Sequence, residues 1–265
     1  MYLGWLGALL VLINAIIINN LFNRSNFFDR ITYIVAPCYV VFMSFFECSY
    51  SINGLLISHT IFALILSHIF EMSQNEEAKS GVFNVLILAG LGTTFVPSVA
   101  LIIPFVFIMI RIVRPLSVRD VFIGIVSLLV PFFYFFSAKY MTGNIQPIDL
   151  LDFAYQSALK GDWPMILSVL FIFSIMGFFT FFNQWKRTSI RTKRQFQMLL
   201  VLFLAFLLLS LVYILSFQQI HFFSFLILPI SLLLPFAFKS ETIGMATSGV
   251  FYMLLAFSVM KFFIF

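Results

Sequence analysis

Long apolar runs, each close to twenty residues, follow one another along almost the whole chain. A helix needs about 20 apolar residues to cross the hydrocarbon core of a bilayer. A transmembrane β-strand would instead show alternating polarity over segments of about ten residues, and the runs in this chain are continuous. The sequence therefore predicts an all-α protein, a polytopic transmembrane helical bundle.

The amino-acid composition excludes the other common classes of protein. Hydrophobic residues make up 62% of the 265 residues and charged residues only 9%, whereas soluble domains carry roughly 25% charged residues. Two cysteines are too few for a disulfide scaffold. A disordered chain would not carry so many apolar side chains. We expect a single transmembrane helical domain over residues 1–265.

The number of spans depends on one stretch, Val82–Val113, which is too long for one straight span and short for two complete ones. It contains Pro97 and Pro104, and two short helices meeting near residues 93–98 would explain them. One long kinked helix is the alternative. The total is then about ten spans, or nine with a single helix there. The remaining expected spans are Tyr2–Phe22, Ile31–Phe46, Ile52–Phe70, Val121–Ala138 (broken at Pro131), Pro164–Phe182, Phe196–Phe217, His221–Phe238 and Gly244–Phe265.

The longest polar segment covers residues 139–163. Within it, Asp149, Asp152, Gln156 and Lys160 recur every three or four residues, with apolar residues between them. This periodicity predicts a short amphipathic helix around 147–160 that lies in the membrane interface. The aspartates could also hold a divalent ion, but their spacing describes a solvated helix face equally well.

Positive charge is concentrated in two short loops, 111–120 and 183–195. Short basic loops are retained on the cytoplasmic side of a membrane, so both loops are expected there and segment 139–163 on the other side. Counting back through ten spans places the N-terminus outside, which suggests a further upstream span in the parent protein. The lipid bilayer accounts for the excess of positive charge, and no nucleic-acid partner is expected.

Ionisable residues inside a membrane are functional candidates because burying them is costly. Glu47 and His59 are the candidates within or beside the predicted spans, although a solvated glutamate and a hydrogen-bonded structural histidine are the simpler interpretations. Lys139 and Lys160 are the obvious cations on the presumed outer face that could bind a lipid phosphate. We predict no catalytic residue, no metal site and no cofactor, because no spacing typical of them occurs.

Two stretches resemble a known family. Leu12–Glu47 (LINAIIINNLFNRSNFFDRITYIVAPCYVVFMSFFE) and Gly90–Phe136, with its Arg-Pro pair at 114–115, resemble an uncharacterised family of polytopic inner-membrane proteins from Bacteroidota. The resemblance covers about half of the chain and implies a bacterial inner membrane, with residues 139–163 periplasmic. It implies no reaction, since that family has no established activity.

A weaker resemblance concerns the glycines at 90 and 92 followed by Pro97 and Pro104. This arrangement looks like the scaffold of C-type membrane glycosyltransferases, in which paired short helices shape a groove for a lipid-linked sugar. Those enzymes usually carry a catalytic aspartate in the first outer loop, and the corresponding turn, residues 47–51, has none.

Three functions are compatible with these observations. The favoured one is a non-catalytic scaffold or accessory subunit of an envelope-biogenesis assembly, with other membrane-protein subunits as partners. The second is a lipid-linked glycan transferase or polymerase-like protein that binds a polyprenyl-linked lipid. The third is a small-solute transporter, in which Val82–Val113 would be a discontinuous helix pair around a site.

Overall fold

The protein is helical throughout the part of the chain that the computed structural model describes, namely residues 2–28, 30–74, 80–142, 163–185, 189–217, 219–240 and 243–264. These ranges contain ten α-helices, three short 3-10 helices and no strand, which confirms the all-α prediction. The α-helices are α1 (Tyr2–Arg24), α2 (Val35–Met43), α3 (Gly54–Gln74), α4 (Ser80–Phe95), α5 (Ile103–Val113), α6 (Val118–Met141), α7 (Trp163–Trp185), α8 (Ile190–Phe217), α9 (Ile227–Lys239) and α10 (Gly244–Ile264); the 3-10 helices are η1 (Glu47–Ser49), η2 (Pro97–Ile102) and η3 (His221–Leu226).

The length and apolar character of these helices suit a membrane. Within the described ranges, five helical segments are long and apolar enough to cross a bilayer, and four shorter apolar helical segments accompany them. The five long segments are Trp5–Arg24, Gly54–Ser73, Val118–Met141, Thr192–Ser216 and His221–Lys239.

Residues 82–113 form two helices rather than one. Helix α4 ends at Phe95, Val96 is extended (φ −136°, ψ 93°), and Pro97 begins η2. Pro104 lies in the first turn of α5, where its missing N–H group costs no helical hydrogen bond. The two-helix alternative is therefore confirmed, and the prolines are its cause.

The predicted span 31–46 is wrong in extent. Helix α2 has only nine residues, about 14 Å at 1.5 Å per residue, so it is too short to cross a bilayer alone. The preceding residues form a loop because the Asn23 side chain binds the backbone of Thr32 twice, accepting from its N–H and donating to its carbonyl, both at 3.0 Å. The chain bends again after Met43.

Two further boundaries differ from the prediction. Helix α6 continues through Pro131 instead of breaking there, and the ring packs against Gly90 of α4, where no side chain obstructs it. Helix α8 begins at Ile190, six residues before the predicted Phe196, so part of the predicted basic loop is helical. The amphipathic helix predicted around 147–160 lies outside the described residues.

One end of the bundle, which we call the basic end, gathers the ends of six helices. Arg24 at the end of α1 lies 3.5 Å from Glu71 near the end of α3. At the start of α8, Arg194 donates to the Val113 carbonyl that ends α5, at 3.4 Å. Arg114 pairs with Asp120 at the start of α6 at 2.8 Å. Lys239, the last residue of α9, lies over the Phe28 ring that follows α1, 4.4 Å from its centroid.

The centre of the bundle is occupied by η3 and α9, which pack against helices α1, α2, α7 and α8. All but one of the residues from His221 to Ala237 are apolar, serine or proline, and every one is buried. Helix α6 lies at the periphery and packs mainly on α4. The bundle therefore has a fully enclosed helix and a helix exposed on most of its surface.

Candidate functional site

His59 lies at the centre of a polar cluster that joins three elements. It belongs to the second turn of α3, and its ring is fully buried. Its Nδ1 atom lies 3.2 Å from the Tyr39 hydroxyl of α2, and its Nε2 atom lies 3.1 Å from the Ser224 hydroxyl of η3. Both ring nitrogens thus have a hydrogen-bond partner, which is the usual state of a buried polar side chain.

Aromatic packing fixes the ring of His59 from the side. The ring stacks on Phe225, with centroids 4.7 Å apart and an interplanar angle of 18°. Phe225 in turn contacts Phe62 of α3 and Phe206 of α8. The histidine is therefore held in one orientation by contacts from two neighbouring elements.

Two more polar side chains are buried close to this chain of hydrogen bonds. Asn14 of α1 approaches the Tyr39 hydroxyl, but its amide oxygen and nitrogen have no hydrogen-bond partner among the described residues. Ser58, which precedes His59, likewise has a buried hydroxyl without such a partner. Asn14, Tyr39, His59 and Ser224 thus form a cluster to which α1, α2, α3 and η3 each contribute one side chain.

A serine of α8 donates a hydrogen bond to the irregular backbone of η3. Ser210 of α8 donates to the carbonyls of Phe206 and Phe222, at 2.7 and 3.0 Å. A 3-10 helix satisfies its backbone less well than an α-helix does. The bond from Ser210 to the Phe222 carbonyl supplies one additional hydrogen bond to the backbone of η3, which an irregular segment needs in an apolar interior.

The interior contains neutral polar groups. The buried polar side chains of the described residues are amides, hydroxyls and two histidines, and no aspartate, glutamate, lysine or arginine is among them. Within the same ranges, no three histidine, cysteine, aspartate or glutamate residues come together as a metal site would require. Groups of this kind bind helices to one another and orient hydrogen bonds.

The structure does not bring the four predicted candidate residues together. His59 lies in the buried cluster, whereas Lys139 lies near the end of α6 with its amino group 5.2 Å from the centroid of Phe135 on the same helix. Glu47 begins η1, but its side chain lies outside the described part of the structure, as does the whole of Lys160. Of these residues, His59 alone has been placed in a defined polar environment.

An apolar groove runs along the outside of α7 and α8. Its volume is about 790 Å³, and η3 closes one side of it. A groove of this size and polarity can hold a hydrocarbon chain. The lining side chains are almost all apolar: Leu167, Ser168, Leu170, Phe171, Ser174, Ile175, Phe178, Phe179, Phe203, Leu207, Leu211, Phe223 and Leu226.

Sequence reasoning missed most of the partners of His59. Asn14 is the member of the cluster with a local signal, because an amide in an apolar span needs a hydrogen-bond partner. Tyr39 and Ser224 carry no comparable signal, since they lie 20 and 165 residues from His59 in the chain. Only the fold brings them within hydrogen-bond distance.

A family match covers nearly all of the chain. No curated protein and no solved structure matches the sequence. The bacterial lineage and the likeness to glycosyltransferases stay predictions. A model of a family of unknown function, DUF6427, matches residues 1–264, and the chain therefore belongs to that family.

Proposed function

We propose that this protein is a multi-pass inner-membrane protein that acts as a non-catalytic scaffold or accessory subunit of an envelope-biogenesis assembly. One observation carries the proposal: His59, the most deeply buried of the predicted candidates, is bound on both ring nitrogens by hydroxyls of α2 and η3. Hydrogen bonds from both ring nitrogens join α3 to α2 and to η3, which is the structural role of a buried polar side chain between membrane helices.

The exterior of the bundle offers surfaces for other subunits. Only 17% of the hydrophobic window of α6 is buried, and its outer face carries large side chains such as Phe133 and Tyr134, which are 69% and 68% exposed. Helices in a membrane associate through packing and hydrogen bonds rather than through hydrophobic burial. We assign this face to a partner subunit, with lipid covering the other exposed helices.

The basic end is proposed to face the cytoplasm. It carries Arg24, Arg114, Arg119 and Arg194, and short basic segments are retained on the cytoplasmic side. Loops 111–120 and 183–195 are then cytoplasmic and segment 139–163 is periplasmic. Cysteine labelling tests this orientation: Arg119→Cys should resist a membrane-impermeant maleimide added to spheroplasts, and Met141→Cys, which is 86% exposed, should react. The reverse result would invert the proposed topology.

Site-specific photo-cross-linking tests the scaffold proposal. A photoreactive residue at Phe133 of α6 should give one defined protein adduct in the native membrane. Residues of comparable exposure on three other helices serve as controls, and they should give lipid adducts: Leu9 of α1, Leu215 of α8 and Tyr252 of α10. Native mass spectrometry of the protein in mild detergent should then give a stoichiometric complex. No protein adduct at any of the four positions, together with the mass of a single chain, would overturn the proposal.

The apolar groove along α7 and α8 favours a second function, the handling of a lipid-linked glycan. Its volume of about 790 Å³ and its phenylalanine-rich wall suit a polyprenyl chain, and Lys139 and Lys160 are the predicted cations of the periplasmic face that could bind the phosphate. Native mass spectrometry would then find a retained polyprenyl-phosphate or glycolipid. Charge reversal at Lys139 and Lys160 should abolish its retention, and unchanged retention would exclude these lysines from the site.

A further inference from the structure

A second cavity lies at the basic end, between the loop that follows α1 and the end of α9. Its volume is about 440 Å³. Two cations line it, Arg30 from the loop and Lys239 from the last turn of α9. The other lining residues are Phe28, Thr32, Ile34, Pro235 and Phe238. The cavity therefore combines an apolar floor with two positive charges at the level where a membrane helix ends.

The two cations are not neutralised within the described part of the chain. The ion pairs there involve Arg24, His68, Glu71, Arg114 and Asp120, and neither Arg30 nor Lys239 takes part in one. Lys239 is positioned instead by the ring of Phe28, with its amino group 4.4 Å from the ring centroid. That contact fixes the lysine stem and leaves the donors of its ammonium group available to an anion.

One residue that lines the same cavity carries a buried hydroxyl. The Thr32 hydroxyl oxygen is buried and has no hydrogen-bond partner among the described residues. Two hydrogen bonds hold the backbone of Thr32 in place. Its N–H donates to the Asn23 side chain and its carbonyl accepts from the same side chain, both at 3.0 Å. These two hydrogen bonds fix the cavity wall beside Arg30, whereas the hydroxyl itself is not accessible from the cavity.

The start of α2 contributes to the same electrostatic environment. Ile34 lines the cavity and is also the N-terminal cap of α2, where no side chain caps the helix and no acidic residue lies in the first turn. The N-terminal end of a helix carries partial positive charge. The C-terminal end of α9 on the other side of the cavity carries partial negative charge, so the two helix ends offset each other and the net positive charge comes from Arg30 and Lys239.

We propose that this cavity binds a phosphate group, presented by the headgroup of an anionic phospholipid. Arg30 and Lys239 provide charge-assisted hydrogen bonds to the phosphate oxygens, and Phe28 and Phe238 contact the apolar part of the ligand. The site does not depend on the scaffold role proposed above. Asp29 and Glu241 neighbour the two cations in sequence and lie outside the described residues.

Native mass spectrometry of the purified full-length protein in dodecyl maltoside tests the site. Detergent removes the general attraction of a charged membrane surface, so a retained lipid reports a defined site. We expect one phosphatidylglycerol to be retained in preference to phosphatidylcholine with the same acyl chains. The change Arg30→Gln or Lys239→Gln should weaken retention about fivefold each.

The matched control is Arg111→Gln, which removes one exposed positive charge at the same end of the bundle but outside the cavity. It should retain phosphatidylglycerol as the wild type does. An equal loss in Arg111→Gln and in Arg30→Gln would overturn the site, because it would show a general charge effect. Size-exclusion chromatography establishes that each variant is folded, and Arg30→Lys, which keeps the charge, should restore part of the retention if Arg30→Gln unfolds.

A second measurement distinguishes a lipid headgroup from free phosphate. Inorganic phosphate added to the wild type should displace phosphatidylglycerol, because the two share the phosphate group. Phosphate that instead raises the melting temperature of the wild type but not of the Arg30→Gln/Lys239→Gln variant, without any retained lipid, would assign the site to soluble phosphate. If the protein shows no lipid preference and phosphate has no effect, the proposal is overturned.

Discussion

Two segments of nearly equal mean hydropathy have opposite positions in this bundle. The window of α6 is 17% buried, whereas the segment formed by η3 and α9 is 94% buried. Lipid tails are as apolar as leucine, so hydropathy cannot distinguish a lipid-facing helix from a central one. The difference lies in the details of packing: small residues on one face of α6, and aromatic contacts and hydrogen bonds on all sides of η3 and α9.

The contact faces of the two segments show this directly. Helix α6 buries Gly124, Ser127 and Pro131, the residues that let it approach α4 closely. The central segment buries Phe236 among four other phenylalanine rings at centroid distances of 5.2–5.8 Å. We therefore expect the same kind of substitution to have different effects in the two segments.

The largest expected effect is the loss of Phe236. Phe236→Ala removes contacts to rings of α1, α8 and the loop after α1, and it should lower the free energy of unfolding by about 3 kcal/mol, the low end of the range for soluble cores. The low end applies because lipid compensates part of the transfer free energy. The control Phe133→Ala, on the exposed face of α6, should change it by less than about 0.5 kcal/mol. The free energies are measured by thermal unfolding in detergent. Equal losses in Phe236→Ala and Phe133→Ala would contradict the difference between the two segments.

A smaller effect is expected from adding a methyl group where α4 and α6 are in close contact. A methyl group at Gly90 would lie 2.8 Å from the backbone oxygen of Leu128 and 3.1 Å from the Pro131 ring, so Gly90→Ala should cost about 1–3 kcal/mol. Gly124→Ala should cost less, because its nearest neighbour is the flexible end of Leu86. Gly249→Ala, with no atom within 4 Å of the added carbon, should be neutral or stabilising. A stable Gly90→Ala variant would show that α6 is only loosely attached.

Features that depend on neighbouring residues in the sequence could be predicted, whereas features that depend on contacts between distant residues could not. The apolar runs gave the helices, and Pro97 and Pro104 gave the division between α4 and α5, because both signals are local. The short α2 was missed, since its start depends on the contact between Asn23 and Thr32. His59 was identified as a buried polar residue, but its partners come from α2 and η3, and no local pattern contains them.

The N-termini of α6 and α9 also differ, and this difference gives a third prediction. Helix α6 begins with a capping box in which Ser117 accepts from the Asp120 N–H at 3.2 Å and the Asp120 carboxylate accepts from the Ser117 N–H at 3.1 Å. Ser117→Ala should therefore cost about 1 kcal/mol, and Ser117→Thr, which keeps the acceptor, should cost little. Helix α9 has no side-chain cap at Leu226, because η3 leads directly into it. Unchanged unfolding of Ser117→Ala would mean that packing on α4, rather than capping, fixes the start of α6.

The smallest expected effect concerns the hydrogen bond between Tyr39 and His59. A double-mutant cycle with Tyr39→Phe and His59→Phe keeps two aromatic rings in place, and it cancels the larger ring size and the lost Ser224 contact, which both His59→Phe variants share. We expect a coupling energy of about 0.6 kcal/mol, the average for hydrogen bonds between helices in a membrane. In the control cycle, Tyr39→Phe is combined with Ser210→Ala, whose hydroxyl binds the carbonyls of Phe206 and Phe222, and the coupling should be close to zero.

The value of that coupling also bears on function. If His59 stabilises helix packing, the four variants should differ in unfolding free energy and remain equally able to form the proposed complex. If His59 acts on a bound ligand, His59→Phe should abolish function while its effect on unfolding stays small. A loss of complex formation in His59→Phe but not in Tyr39→Phe, at equal stability, would therefore contradict the structural role. The enclosed centre of the bundle would then contain a functional site. It would differ from the exposed α6 in its chemistry as well as in its packing.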